Sequence, residues 1–99
     1  MYMLREVCTA QRGKAREVVD AFRTLDNMLE QAGGYTSRRI YVDYTGPMDT
    51  VVYEVEMESL DAYFAMERAA FDDPQAKPLV DALNTNARSG YKEIYEVIQ

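Results

Sequence analysis

The spacing of apolar residues changes several times along this chain, and the order of the changes predicts its architecture. An alternating stretch is followed by a long amphipathic stretch, two alternating stretches around a turn, further helical spacing and a final alternating stretch. Side chains return to the same face every two residues in a strand and about every 3.6 residues in a helix. The pattern therefore predicts the order β-α-β-β-α-β. This order fills nearly all 99 residues and predicts one domain over residues 1–99, with little room for a catalytic insertion.

The first predicted strand runs from Tyr2 to Ala10, and a turn at Gln11-Arg12-Gly13 leads into a helix that begins at about Lys14. Because glycine adopts positive φ angles easily, we expect Gly33-Gly34 to end this helix. The apolar residues of the helix recur every three or four positions and form one stripe that faces the core. They are Ala15, Val18, Val19, Phe22, Leu25 and Leu29.

Residues 35–44 and 50–57 are predicted to form a hairpin, because the Gly46-Pro47 pair between them cannot continue either strand. Ser59 is the expected cap of the helix that follows, since its hydroxyl can accept a hydrogen bond from the first helical turn.

The second helical region is predicted in two parts. Asp72-Asp73-Pro74 interrupts it, and the helix is expected to resume at Pro78, because Lys77 precedes a proline and is disfavoured in a helix. Gly90 is expected to end the second part, and the last strand is predicted over residues 91–98.

Right-handed crossovers place both helical regions on the same face of the sheet. The predicted fold class is therefore α+β: a ferredoxin-like β-α-β-β-α-β sandwich with a four-stranded antiparallel sheet and its helices on one face. No helix is expected to cover the other face. We call it the open face, and alternation places Arg39, Tyr41, Val52, Glu54 and Glu56 on it.

Alternation leaves the sides of the first and last strands undecided. In the first strand two apolar rows compete, and each holds one charge, Glu6 in one row and Arg5 in the other. We favour Arg5 on the open face, where a carboxylate of the third strand can neutralise it. In the last strand Glu93 and Tyr95 share one side and Lys92 lies on the other, and the pattern favours neither.

An open face that carries Tyr41, Val52, Met3 and Val7 would be an unusually large apolar patch for a monomer. An isologous two-fold pairing, sheet against sheet, would bury it. We therefore expect a homodimer with a cavity between its two sheets. The alternative is a solvated face with scattered apolar side chains.

Composition and charge limit the partners of the protein. Hydrophobic residues make up 47% of the chain, and eleven basic against seventeen acidic residues give a net charge of −6, which disfavours nucleic acid and anionic membranes as partners. Glu54 and Glu56 also argue against an RNA-recognition surface. The chain has charges at Arg5 and Glu6, where a secretory signal peptide would need an apolar run. Cys8 has no second cysteine with which to form a disulfide. These features predict a cytoplasmic protein.

Four groups of residues carry a family resemblance that covers essentially the whole chain. The opening Tyr2-x-Leu4-Arg5, with Arg12-Gly13-Lys14 before a long helix, resembles that of NIPSNAP-like members of the dimeric α/β-barrel superfamily. Three later segments are also similar to segments of these family members. They are Glu58-Ser59-Leu60, the helix break Phe71-Asp72-Asp73-Pro74, and residues 89–95 with the sequence Ser-Gly-Tyr-Lys-Glu-Ile-Tyr.

The resemblance implies a sheet-to-sheet dimer that closes into a barrel. Functions in the superfamily range from cofactor-free oxygenases and isomerases to haem enzymes and uncharacterised proteins. The chain departs from the family in one respect, because Gln75-Ala76-Lys77 stands where a tryptophan often follows the Asp-Pro pair. An activity that relies on an aromatic side chain at that place is not expected.

The residues present exclude several chemistries. The chain has no histidine, which removes histidine-based acid–base catalysis, Ser-His triads, most zinc sites and proximal-histidine haem ligation. Its five glycines form no phosphate-binding loop. We therefore expect neither a cofactor nor a metal.

The remaining candidates lie on the strands. Glu54 as carboxylate base, Tyr41 as phenol donor and Arg39 as cation for an enolate oxygen are the candidate catalytic residues. The candidate ligand-binding residues are Arg5, Val52, Glu93 and Tyr95. We expect this chain either to bind a small apolar or aromatic ligand between the sheets or to serve as an assembly module. The alternative function is a cofactor-independent oxygenase or isomerase that acts through an enolate. The alternative role for these residues is a salt-bridged layer of the dimer without chemistry.

Overall fold

The computed structural model describes residues 1–33 and 36–99, with the backbone alone at Ala32. Its elements follow the predicted order, with the second helical region in two parts. They are β1 (Tyr2–Ala10), α1 (Ala15–Ala32), β2 (Ser37–Val42), β3 (Thr50–Met57), α2 (Leu60–Phe71), α3 (Lys77–Asn86) and β4 (Ala87–Glu96). Within the described ranges, no helix combines the length and apolar character that crossing a bilayer requires.

The four strands form one sheet in the order β2-β3-β1-β4, and each neighbouring pair is antiparallel. This arrangement confirms the predicted ferredoxin-like α+β fold. The central strands β1 and β3 are also the most buried, because each has a neighbour on both sides and helices above it.

The core lies between the helices and one face of the sheet. Phe22 of α1 stacks on Tyr53 of β3, with ring centroids 5.7 Å apart. Tyr63 of α2 is almost completely buried in the same cluster. The predicted apolar stripe of α1 therefore faces the sheet.

Most predicted boundaries agree with the structure, and β1 and β3 agree at both ends. Gly33 follows α1 with a φ of 80°, and its N–H donates to Leu29 and Glu30 carbonyl groups, so it ends the helix as expected. The prediction for Gly34, and a start of β2 at Tyr35, lie outside the described residues.

Strand β2 ends two residues earlier than predicted, at Val42, because the next residue begins a turn. The Asp43 carboxylate accepts hydrogen bonds from the N–H groups of Thr45 (2.7 Å) and Gly46 (2.5 Å). These bonds stabilise the ionised carboxylate and lower the pKa of Asp43.

The prediction that a helix continues to Gly90 is wrong. Helix α3 ends at Asn86, and β4 begins at Ala87, so Gly90 lies inside the strand opposite Cys8. A Cβ at Gly90 would lie 3.2 Å from the Val7 carbonyl oxygen. The glycine therefore permits a close approach of two strands and does not end a helix.

Candidate functional site

The strand register assigns the side chains of β1 and β4 to faces, which the sequence pattern could not do. Leu4 lies in the core under the helices, so its neighbour Arg5 points to the open face. Arg5 stands opposite Glu54 of β3 and opposite Glu93 of β4. The preference for Arg5 is confirmed, and Glu93 and Tyr95 share its face.

Four charged residues form one row across the open face, one from each strand. Arg39 is in register with Glu54, Glu54 with Arg5, and Arg5 with Glu93. We call these four residues the charged row. Arg5 Nε lies 3.9 Å from Glu54 Oε2, is shielded from solvent and has no hydrogen-bond partner among the described residues. The row alternates in sign and carries no net charge.

The three predicted catalytic residues come together at one edge of this row. Tyr41 Oη donates a 3.1 Å hydrogen bond to Glu54 Oε1, and Arg39 lies beside Glu54 in the strand register. With Ser37 and Glu56 they line a groove of about 290 Å³, which we call the face groove. Nearly all of its lining is polar.

The predicted ligand-binding residues of β4 lie at the opposite edge of the sheet. Tyr95 Oη donates a 2.5 Å hydrogen bond to Glu93 Oε2, which holds the phenolic proton and raises the pKa of Tyr95. Strands β3 and β1 separate this pair from Arg39 and Tyr41. The open face therefore does not unite all seven predicted residues in one pocket.

A second row, next to the charged row, is apolar. Val52 and Val7 face each other at its centre, Tyr41 stands beside Val52, and Tyr91 stands beside Val7. We call these four residues the apolar row. The valines are almost fully covered by their neighbours, whereas Tyr41 keeps 41% and Tyr91 58% of its surface exposed. Two exposed aromatic rings thus flank an apolar centre.

A larger space lies on the other side of the sheet, between the helices and strands β1 and β4. We call it the helix-side cavity, and its volume is about 500 Å³. Its lining includes Glu6, Cys8, Phe22, Phe71, Leu83 and Lys92. It exists because β4 is poorly covered by the helices: Lys92 points toward them and still remains exposed.

Glu6 and Lys92 of the cavity lining belong to a polar group that continues beyond the cavity into α2. Glu6 and Lys92 are opposite each other on β1 and β4, and Lys92 Nζ is 3.6 Å from Glu67 Oε2 of α2. Tyr63 Oη donates a 3.1 Å hydrogen bond to that same oxygen. Burial raises the pKa of Glu6, Lys92 opposes the rise, and the charge of Glu67 adds to it.

Cys8 lines the same cavity as a reduced, buried thiol. Burial, with the nearby Glu6 carboxylate as a second cause, raises the pKa of Cys8. A protonated thiol is a poor nucleophile, so the side chain acts as an apolar filler here.

Sequence reasoning did not place a site on this side of the sheet. The one available signal was Glu6, a charge within the otherwise apolar row of Tyr2, Leu4 and Cys8. The partners of Glu6 come from α2 and β4, and no local pattern connects them. Within residues 1–33 and 36–99, no three cysteine or carboxylate side chains cluster closely enough to hold a metal ion.

No family model matches the sequence, and no curated protein matches it. Proteins of known structure share its fold. An uncharacterised NIPSNAP domain protein from Burkholderia xenovorans is similar with a TM-score of 0.80 and 14% identity, over 98% of this chain and 94% of that one. A NIPSNAP family protein of unknown function from Agrobacterium tumefaciens gives a TM-score of 0.77 and 12% identity, over 96% and 86%.

An enzyme shares the fold as well. SnoaB, a cofactor-independent oxygenase from Streptomyces nogalater, is similar with a TM-score of 0.75 and 15% identity, over 99% of this chain and 93% of that one. Identities this low establish the fold alone. The chain therefore shares the ferredoxin-like fold of these two NIPSNAP proteins and of SnoaB, as its sequence pattern predicts.

Proposed function

We propose that this protein is a homodimer in which each chain binds one small apolar or aromatic molecule in the helix-side cavity. The observation that carries the proposal is the cavity itself. Its volume of about 500 Å³ lies within the range of roughly 300 to 1,000 Å³ that is typical of small-molecule sites. Phe22, Phe71 and Leu83 supply apolar walls, and Glu6 and Lys92 can orient a polar end of the ligand.

The helix-side cavity is a better ligand site than the face groove. Arg39, Glu54 and Glu56 give the groove a charged lining that offers little to an apolar molecule. The groove also lies on the face that a second copy would cover. We therefore assign Glu54, Tyr41 and Arg39 to a dimer layer without chemistry.

The apolar row supports the dimer. Two partly exposed tyrosine rings flank a valine pair, and exposed apolar patches of this kind mark interaction surfaces. A second copy of the chain carries the same face, so an isologous pairing covers both at once. The helices leave this face free, and the cavity on their side remains open to a ligand.

Native mass spectrometry of the gently purified protein tests both parts of the proposal. We expect the mass of a dimer, with additional mass that corresponds to a ligand carried through purification. A chain that stays monomeric at high concentration contradicts the homodimer.

The cavity is tested separately with 8-anilinonaphthalene-1-sulfonate, whose rings suit the apolar walls and whose sulfonate suits Lys92. Phe71→Ser removes a half-exposed aromatic wall and should weaken fluorescence-detected binding by about tenfold. Ile94→Ser is the matched control, because Ile94 is similarly exposed but lies outside the cavity lining. Equal losses in the two variants, or none in Phe71→Ser, would contradict the site.

A second candidate function is enolate chemistry in the same cavity, and Glu6 is the observation that favours it. Burial raises the pKa of the Glu6 carboxyl and so makes it a stronger base than an exposed glutamate, and the Lys92 ammonium opposite can stabilise an enolate oxygen. SnoaB shows that the fold can support an oxygenase without a cofactor.

Deuterium exchange into a panel of small aromatic ketones tests this candidate. NMR in heavy water measures the exchange. We expect the wild type to exchange the protons on the carbon next to the carbonyl, and we expect no exchange with Glu6→Gln. Glu54→Gln should leave the exchange unchanged. The opposite pattern would return the catalytic role to Glu54 and the face groove.

A further inference from the structure

A second, smaller space borders the helix-side cavity and reaches into the core. We call it the inner chamber, and its volume is about 60 Å³. Residues that line both spaces form the boundary between them, which we call the neck: Glu6, Phe22, Phe71, Leu83 and Lys92. The residues that line the inner chamber and not the helix-side cavity are Leu25, Leu29, Tyr53, Tyr63, Glu67 and Ala70.

We propose that the inner chamber takes a short hydrocarbon tail of the ligand, while the aromatic body stays in the helix-side cavity and a hydroxyl group between them binds at the neck. The ligand class is therefore an aryl alkyl carbinol, or a molecule that presents these groups in the same order. This inference rests on the proposed function and names the ligand class of that same site.

The walls of the inner chamber suit a hydrocarbon. Its two phenol groups are engaged by the protein, because Tyr53 Oη donates to Asp26 and Tyr63 Oη donates a 3.1 Å hydrogen bond to Glu67 Oε2. Lys92 Nζ lies 3.6 Å from that same oxygen of Glu67. The other walls are mostly aliphatic and aromatic side chains. Water finds few partners in such a space, and apolar cavities stay dry and accept apolar groups.

The neck suits a hydroxyl group. Glu6 and Lys92 stand opposite each other on β1 and β4, so a carboxyl and an ammonium meet there. Burial and the charges of Lys92 and Glu67 shift the pKa of Glu6, and no hydrogen bond from the described residues is among the causes. A hydroxyl can donate to Glu6 and accept from Lys92, because it is both a donor and an acceptor. A charged group of the ligand would be attracted by one of the two and repelled by the other.

The volume of the inner chamber limits the length of the tail. A cavity needs at least about 15 Å³ to hold one water-sized group, whose share of a liquid is about 30 Å³. About 60 Å³ therefore holds roughly two to four atoms of that size. A longer tail must displace Leu25 or Leu29, and both are buried in the core. We expect the best tail to have two to four carbons.

NMR titration of the wild type with phenyl carbinols tests the chamber. Benzyl alcohol has no tail, and the 1-phenylalkan-1-ols extend the tail one carbon at a time. We expect the Kd to fall by about fourfold for each carbon up to two to four carbons, as for a buried methylene, and then to level off or rise. Butylbenzene lacks the hydroxyl of 1-phenylbutan-1-ol and should bind at least about tenfold more weakly.

Two leucine variants of α2 separate the chamber from general hydrophobic binding. Ala70→Leu fills the inner chamber, whereas Ala69→Leu places the same side chain at an exposed position that lines neither space. The readout is the ratio of the Kd of benzyl alcohol to that of 1-phenylbutan-1-ol. We expect Ala70→Leu to lower this ratio by at least about tenfold and Ala69→Leu to keep the wild-type ratio. If Ala70→Leu does not fold, Leu29→Val, which enlarges the chamber by one methylene, must shift the best tail to a greater length.

Each outcome of these titrations supports or overturns a stated part. A Kd that keeps falling with every added carbon, or one ratio shared by the two leucine variants, would overturn the inner chamber as the tail site. Equal binding of butylbenzene and 1-phenylbutan-1-ol would overturn the hydroxyl at the neck. A protein that binds 8-anilinonaphthalene-1-sulfonate but no carbinol overturns this inference and retains the cavity. A protein that binds neither removes the proposed function itself.

Discussion

At the scale of single residues, the charges that lie against apolar surface have the largest calculable effect on stability. Glu6 is such a residue, and the charged groups that face it are Lys92 of β4 and Glu67 of α2. Because burial raises the pKa of Glu6 above its ordinary 4.5, the folded chain holds this proton where the unfolded chain releases it. Stability therefore falls as the pH rises through the interval between the two pKa values.

Glu6→Gln removes this titration. We expect the variant to gain stability relative to the wild type as the pH rises from about 4 to about 8, because glutamine has no charged form to bury. Urea denaturation at fixed protein concentration measures the difference, and Glu58→Gln, at an exposed position, serves as the control. A difference between Glu6→Gln and wild type that does not change with pH would contradict the assignment.

Asp26 is a second buried charge, and its partners are structural. Tyr53 Oη donates to Asp26, and Arg38 Nε lies 2.8 Å from Asp26 Oδ2, while Arg38 also reaches Glu30 at 2.5 Å. Arg38→Met leaves the carboxylate without its cation and should lower the free energy of unfolding by about 2 to 3 kcal/mol. Arg23→Met, which breaks an exposed pair at 3.9 Å, should cost less than about 1 kcal/mol in the same denaturation experiment. Equal losses would contradict the role of burial.

At the scale of elements, caps and turns determine where each helix begins and ends. Ser59 precedes α2, and its side chain accepts a 3.2 Å hydrogen bond from the Ala62 N–H. Ser59→Ala should therefore destabilise the protein by about 1 kcal/mol, and Ser59→Asp should retain most of the stability because it keeps an acceptor. Thermal denaturation compares them. An alanine variant as stable as the wild type would show that the cap contributes nothing.

Local chemistry made much of the fold predictable from the sequence. Alternation in β3 and the helical stripe of α1 depend on near neighbours in the chain, and Ser59 is a local signal as well. The end of α3 was not predictable, because Gly90 is required by a close approach to Val7 of another strand. A glycine that ends a helix and a glycine that permits two strands to approach look the same in the local sequence.

The candidate site also has a part that the sequence could predict and a part that it could not. The meeting of Arg39, Tyr41 and Glu54 followed from alternation and hairpin pairing, which are properties of two adjacent strands. The helix-side cavity depends on how α2 and α3 sit above β4, and this packing has no signature in local periodicity. Lys92 could not be assigned to a face until the register of β4 with β1 was known.

At the scale of the whole molecule, the two faces of one sheet are given different tasks by the proposed function. Each chain carries a net charge of −6, so two copies repel each other at a distance. A stable dimer must overcome this repulsion through local contacts on the open face. The alternating charged row and the apolar row beside it can supply both attraction and buried apolar area.

This coupling of folding to association predicts a melting temperature that depends on protein concentration. Because a second copy binds only the folded chain, raising the concentration from about 1 to about 100 μM should raise the melting temperature by about 5 °C. Val52→Lys places a charge at the centre of the apolar row, where side chains are almost fully covered, and should abolish the dependence. Differential scanning calorimetry compares the two proteins at matched concentrations. A wild type whose melting temperature is the same at both concentrations would show that the open face is not a dimer interface.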